Sequence, residues 1–254
     1  MNDGRLRDDG TSCGFGGCFY SRPSDINLNF SDNSFRFGVE RKLVNGSIFF
    51  QFSTGHRPPQ INELFRLQKS QTLADLDSEE IESLEIAFVN EGETSRNQIV
   101  LYYSKKKNYI FKDASSNMIL GGHSRHRGLE FTGSKFLNSK FSLRYAFNLA
   151  EHLYDFTNSN LGISSGNDID TSPNLFGSIF FNYEMNERIN LQIEQEFMGE
   201  YFTELSNLYI YKGHNLTNLR SSLEVNKNLK LNFSVLNLFD KAYAERADYS
   251  SFSG

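Results

Sequence analysis

The side chains with the widest chemical range here are five histidines, His56, His123, His126, His152 and His214, and two cysteines, Cys13 and Cys18. His123 and His126 are three apart. On a strand that spacing sends them to opposite faces, so by themselves they make no metal pair. Cys13 and Cys18 bracket a glycine-rich stretch, Cys13-Gly14-Phe15-Gly16-Gly17-Cys18. Two thiolates with no nearby histidine fall short of the four ligands of a structural zinc. Two free thiols and a local disulfide remain, and an oxidising compartment favours the disulfide. There is no G-x-S-x-G elbow, no phosphate-binding loop and no paired-cysteine zinc pattern. The expectation is therefore no enzyme, no catalytic residue, no metal and no cofactor. Recognition chemistry is better represented. His56 and Arg57 open a long polar stretch, and a guanidinium binds carboxylate or phosphate oxygens bidentately. Arg57 is the first choice for a ligand contact; the alternative is a structural arginine on nearby carboxylates. Tyr243, Glu245, Arg246, Asp248 and Tyr249 form a second group, which either contacts ligand or packs together. The acidic run from Asp75 to Glu80 reads as solvated surface.

Composition narrows the setting. The chain has 254 residues, a formal net charge of −5, 24 Phe, 12 Tyr and no Trp. The acidic balance argues against nucleic acid as the main partner. The aromatic content argues against disorder. No apolar run is long enough for a transmembrane helix. A transmembrane β-barrel is not excluded, because its strands alternate apolar and polar residues. Residues 1–9 hold no basic stretch followed by an apolar run, so no signal peptide is expected in this chain.

The elements that must carry these groups are strands. In 140–150 the odd positions are Phe141, Leu143, Tyr145, Phe147 and Leu149, with polar or small residues between them. In 188–197 Ile189, Leu191 and Ile193 alternate with Asn190, Gln192 and Glu194. A helix would scatter these apolar residues round its circumference; a strand puts them on one face. The pattern predicts ten strands, over 34–43, 46–54, 80–90, 97–111, 123–137, 140–154, 172–184, 187–199, 215–226 and 229–238. Several exceed the usual globular length of about five or six residues and suit a tilted membrane-spanning strand of about 9–11 residues. Links alternate between tight (44–46, 91–96, 138–139, 185–186, 227–228) and long (55–79, 112–122, 155–171, 200–215). Short turns at one end and long loops at the other are the asymmetry of outer-membrane barrels.

Four stretches carry a family resemblance. Phe52-Ser53-Thr54-Gly55-His56-Arg57-Pro58-Pro59-Gln60-Ile61-Asn62-Glu63-Leu64-Phe65 resembles the G-[FYH]-R-x-P-x-x-x-E-L-[FY] segment of TonB-dependent outer-membrane receptors. Residues 78–87, with Glu79, Glu82, Ser83 and Glu85, are similar to the family's following strand, with Ala87 where a glycine is usual. Residues 121–130, with Arg125, Arg127, Gly128, Leu129 and Glu130, resemble its recurring R-x-R-G-[LV]-E strand. Leu236-Asn237-Leu238-Phe239-Asp240-Lys241-Ala242-Tyr243 resembles its N-L-F-D-x-x-Y signature. The four occur in the family's order.

The resemblance implies an all-β fold: an antiparallel transmembrane β-barrel segment, about ten strands of an expected 22 around a plugged lumen. It implies a place in the outer membrane of a Gram-negative bacterium. It implies active import of a scarce nutrient, most readily a ferric siderophore complex, with haem, cobalamin and oligosaccharides as other cargoes. Outer-membrane lipid and the TonB energy-coupling complex are the implied partners. Residues 1–254 are read as a partial barrel domain, without plug, TonB box, signal peptide or final strands. The implied ligand contacts are His56, Arg57, Tyr243 and Arg246. The apolar side of 187–199 is expected to meet lipid and the polar side a lumen. The competing reading is a structural or adhesive β-protein without transport, either a small barrel or a soluble sandwich.

Overall fold

Asparagines build the tight turns. Asn138 Oδ1 accepts the N–H groups of Lys140 (2.9 Å) and Phe141 (3.0 Å). Asn186 does the same for Arg188 (2.9 Å) and Ile189 (3.0 Å), and Asn226 accepts from Asn228 at 2.9 Å. Such side-chain bonds to the backbone two or three residues on close the chain into a turn. In the first hairpin Gly46 has φ +145°, and a Cβ there would lie 1.9 Å from Val89 O. Only glycine fits that close approach.

The computed structural model describes residues 20–21, 27–65, 67–68, 75–112 and 118–247. Cys13, Cys18, Asp248 and Tyr249 lie outside the described residues. In chain order the elements are β1 (Tyr20–Ser21), β2 (Phe35–Leu43), β3 (Gly46–Arg57), α1 (Ile61–Phe65), β4 (Leu67–Gln68), β5 (Glu79–Glu91), β6 (Ser95–Lys112), β7 (Met118–Phe136) and β8 (Phe141–Tyr154). A 3-10 turn (Ser159–Leu161) follows, then β9 (Leu175–Asn186), β10 (Ile189–Met198), β11 (Tyr201–Phe202), β12 (Ile210–Tyr211), β13 (His214–Asn226) and β14 (Leu229–Val235).

Ten of these strands form one sheet, in the order β14-β13-β10-β9-β8-β7-β6-β5-β3-β2. Each pairs antiparallel with its sequence neighbour within that sheet, so all ten expected strands are present. β3 runs on to Arg57 rather than stopping at 54, and β9 starts at Leu175 rather than 172. β14 stops at Val235, short of the expected 238. The cause is Asn237, whose φ of 50° takes the chain out of the extended region. The two remaining ladders, β1–β4 and β11–β12, have two residues per strand.

The two faces differ in chemistry. One face aligns Leu143, Phe181, Ile193, Leu219 and Val235 as successive cross-strand partners. The same face aligns Ile48, Phe88, Ile99, Phe131 and Phe147. Gly177 leaves room in that second row, and the rings of Phe147 and Phe197 meet across it at 5.7 Å. The opposite face carries Gln192, whose Nε2 donates to Asn182 Oδ1 at 2.7 Å. It also carries Glu194, bonded by Asn218 and Arg220. Ile193 is 48% exposed while its neighbour Glu194 is 7% exposed. In water that pattern is inverted, because an exposed apolar row costs roughly 25 cal/mol per Å². It fits a sheet whose apolar side meets hydrocarbon. Among the described residues no second sheet covers that side, as a soluble sandwich would require.

Candidate ligand-binding rim

Among the described residues, the connecting stretches 58–65, 155–174 and 199–213 gather at one end of the sheet. Function concentrates on loops held by a rigid scaffold, so this end is the candidate site.

Arg57 closes β3 and sits between two carboxylates. Its Nε donates to Glu79 Oε2 at 2.7 Å, and its Nη1 and Nη2 reach Glu63 at 3.1–3.2 Å. Glu63 has a second task. Gln60 precedes helix α1, and its N–H donates to Glu63 Oε2 at 2.7 Å. A glutamate reaching back to the N-cap N–H is half of a capping box. Glu79 likewise accepts the Ile110 N–H through Oε1 at 3.0 Å. The helix then delivers Leu64 into a small core with Leu76 and Ile110, packed by Phe65 and Leu120. The Arg57-to-Phe65 stretch is therefore a clamp that holds α1 and Leu76 against β6. The guanidinium is taken up by its own chain.

His56 goes the other way. It pairs with Glu80 while Arg57 pairs with Glu79, and the alternation places His56 on the face of Phe50 and Phe52. Its Nδ1 is buried with no hydrogen-bond partner among the described residues. Tyr243 and Arg246 lie beyond β14. The Tyr243 ring meets the His214 ring at a tilt of 49°, with centroids 4.8 Å apart, and the His214 Nδ1 is 2.9 Å from the Tyr211 hydroxyl. Ala244 N–H donates to that same hydroxyl at 3.1 Å, and Ala247 N–H to the Tyr201 hydroxyl at 2.7 Å. Arg246 is exposed and has no ion-pair partner among the described residues. Between β3 and β13 stand six strands. Seven steps at about 4.8 Å give roughly 34 Å along the sheet. The structure thus places the two predicted groups at the same end of the sheet but far apart within it.

Three features escape a reading of the sequence. The first is a pair of imidazoles, His126 and His152, with Nδ1 atoms 2.8 Å apart and Ser124 Oγ 2.9 Å from His126 Nε2. Cross-strand register alone brings them together. The second is a lock between loops 155–174 and 199–213. Asp168 N–H donates to Asn207 Oδ1 at 2.7 Å, and Asn207 Nδ2 returns to Asp168 O at 2.9 Å. Asn167 Nδ2 reaches Leu205 O at 3.1 Å, and Thr171 N–H reaches Phe202 O at 2.8 Å. Asn207 adopts φ 59° to do this. Glu204 rigidifies the same loop by accepting from the N–H groups of Ser206, Leu208 and Tyr209 and from the Ser206 hydroxyl. Burial pushes its carboxyl up, but those hydrogen bonds outweigh burial and hold it below the usual carboxylate range. Burial, reinforced by Glu151, pushes the Asp168 carboxyl up, and His152 opposes the shift. The third feature is a hollow of about 500 Å³ on the polar face, edged by Glu130, Asn148, Phe176, Glu194, Glu196 and His214. Among the described residues no three His, Cys, Asp or Glu side chains converge as a metal site would need.

The family profile described as "TonB dependent receptor-like, beta-barrel" matches residues 7–238. The chain belongs to the TonB-dependent receptor family. No match is found among curated protein sequences. Solved structures agree on the fold. The siderophore receptor PiuA from Acinetobacter baumannii is 16% identical with a TM-score of 0.69, over 84% of this chain and 33% of that one. The ferric-catecholate import receptor Fiu from E. coli K12 is 15% identical with a TM-score of 0.68, over 92% of this chain and 35% of that one. The copper transporter OprC is 18% identical with a TM-score of 0.69, over 82% and 34%. The chain spans about a third of the length of these structures. As a TonB-dependent receptor barrel the sheet belongs to the outer membrane of a Gram-negative bacterium. Its apolar face is the lipid side, its polar face the lumen side and its long-loop end extracellular. No helix among the described residues is long and apolar enough to cross a membrane.

Proposed function

We propose that residues 1–254 are one part of the wall of a wider barrel, and that the complete receptor imports a scarce nutrient, a ferric siderophore complex before other cargoes. The observation that carries this is the ten-stranded sheet, with one lipid-suited face, one polar face and loops braced together at one end. That is the construction of a channel wall with a recognition rim. Relatives of the same fold include a siderophore receptor, a ferric-catecholate import receptor and a copper transporter. Energy would come through the TonB complex and a plug. The protein acts by binding and translocation, with no catalytic chemistry.

At the rim, Tyr243 on the lumen face and the exposed Arg246 are the ligand contacts we favour. Arg57 contributes by holding residues 58–65 in shape. His56, on the lipid-side row, is the least placed of the four to reach a lumen ligand. The test is uptake by the complete receptor in a strain lacking its other iron receptors, with ferric siderophore, haem and cobalamin supplied separately. Growth on a ferric siderophore alone, reduced by Tyr243→Ala with Arg246→Ala, is expected. Growth on haem or cobalamin instead would redirect the cargo, and no uptake of any would overturn the importer reading.

A further inference from the structure

The lipid-side face of β6 and β7 ends in positive charge. Successive cross-strand pairs toward the extracellular end are Leu101 with Leu129, Tyr103 with Arg127, and Lys105 with Arg125. All six are on the lipid side, because the alternation runs unbroken from Leu101 to Lys105 and from Leu129 to Arg125. Four residues at about 3.3 Å lift the last pair roughly 13 Å along the strand from the last leucine pair. A tilt of about 40° reduces that to roughly 10 Å along the membrane normal. The pair is thus displaced from the apolar row toward the extracellular headgroups.

Neighbouring cations on this face are neutralised within the protein. Lys107 Nζ lies 3.0 Å from Glu82 and 3.7 Å from Glu80. Arg127 Nε lies 2.6 Å from Glu151. Lys105 and Arg125 have no carboxylate within ion-pair distance among the described residues. Glu82 faces Lys105 from β5, but it is turned to Lys107. The Lys105 ammonium instead stands over the Tyr103 ring, 5.8 Å from its centroid. Like charges directly opposite one another weaken an antiparallel pair. An anion seated between them removes that repulsion and gains charge-assisted hydrogen bonds from both.

We propose that Lys105 and Arg125 clamp the phosphate of a lipid headgroup in the outer leaflet. The ligand is a membrane lipid rather than a dissolved phosphate because the clamp continues the lipid-side row, with Tyr103 at the interface between leucine and lysine. Solutes entering the lumen meet the opposite face.

The test uses the complete receptor folded into phosphatidylcholine vesicles, with and without phosphatidic acid. Lys105→Gln/Arg125→Gln is compared with the parent. Lys135→Gln, a single cation near the other end of β7, is the control. Phosphatidic acid is expected to raise the unfolding midpoint of the parent and of the control, and the double variant should lose at least half of that rise. In phosphatidylcholine alone the double variant should be as stable as the parent or more so, since the repulsion is gone. The same rise in parent and double variant would overturn the proposal. So would an equal loss of stability in both lipid compositions, which marks a merely structural role. If dissolved inorganic phosphate raised the parent's midpoint as much as phosphatidic acid does, the lipid assignment would be wrong.

Discussion

His126 and His152 face each other across β7 and β8 with their Nδ1 atoms 2.8 Å apart. One nitrogen must donate and the other accept, so at least one ring is neutral. Removing either ring leaves a half-buried nitrogen without its partner, at a cost of about 1–3 kcal/mol. Removing both leaves no imidazole nitrogen unpaired, while the Ser124 hydroxyl loses His126 in the single and the double variant alike. In the complete receptor His126→Phe and His152→Phe should therefore be non-additive, with a coupling of about 0.5–3 kcal/mol. Urea unfolding of the two single variants and the double variant in vesicles measures it, and strictly additive costs would mean that the rings do not bond.

The depth and side of β10 give a second expectation. Ile193 lies between Phe181 and Leu219, whereas Gln192 lies between Asn182 and Arg220. An arginine on the lipid side near the bilayer midplane costs about 2–4 kcal/mol. Ile193→Arg should lose that much in vesicles and Gln192→Arg far less, although the sites are adjacent. A lipid-attached quencher acting on a fluorophore at position 193 but not at 192 separates the lipid side from a buried protein core. Equal tolerance at both positions contradicts the orientation.

Asn207 fastens two loops from a left-handed backbone position. Asn207→Ala removes its bonds to Asp168 and meets the steric cost of positive φ, together about 2–3 kcal/mol of local stability. Asn207→Gly removes the bonds and keeps the backbone freedom, so it should cost less. Amide exchange should quicken in 155–174 and 199–213 together. Faster exchange in 199–213 alone would mean that the two loops move independently.

Glu204 makes the same rim sensitive to acid. Its folded carboxyl titrates below the unfolded value, because four donors hold the charged form. A depressed carboxylate contributes stability above its unfolded pKa, and that contribution fades as pH falls through the folded value. Loop 199–213 should therefore open at pH values below the ordinary carboxylate range, and Glu204→Gln should open it already at neutral pH. Amide exchange at Ser206, Leu208 and Tyr209 reads this directly; protection that does not vary with pH would exclude the role.

The strands were readable because a two-residue period cannot be mistaken when one face meets lipid and the other a polar lumen. The rim was only partly readable. The Arg57-to-Phe65 motif lies at the long-loop end of the sheet, but its arginine serves a glutamate three residues beyond the helix cap rather than standing open to solvent. The expected end of β14 lies three residues beyond the observed one because Leu236 and Leu238 prolong the apolar run, although they fall out of phase with Leu231, Phe233 and Val235. Asn237 overrides it: its side chain accepts from Lys241 N–H and donates to Lys241 O, both at 2.9 Å. The Asn207 lock joins residues 39 apart in the chain, and no local pattern announces such a partnership.

The sheet has two outer strands, β2 and β14, and they run in opposite directions because the strand count between and including them is even. Either could pair with the other directly, or both could be joined through any even number of further antiparallel strands; an odd number would force one parallel seam. The seams also carry a phase. A strand laid against β14 must set its lipid-side residues opposite Leu231, Phe233 and Val235, and one laid against β2 must do the same for Phe35, Phe37 and Val39. A one-residue slip at either seam would turn every side chain of the newcomer to the wrong solvent. Parity and phase together restrict which sequences can complete the wall.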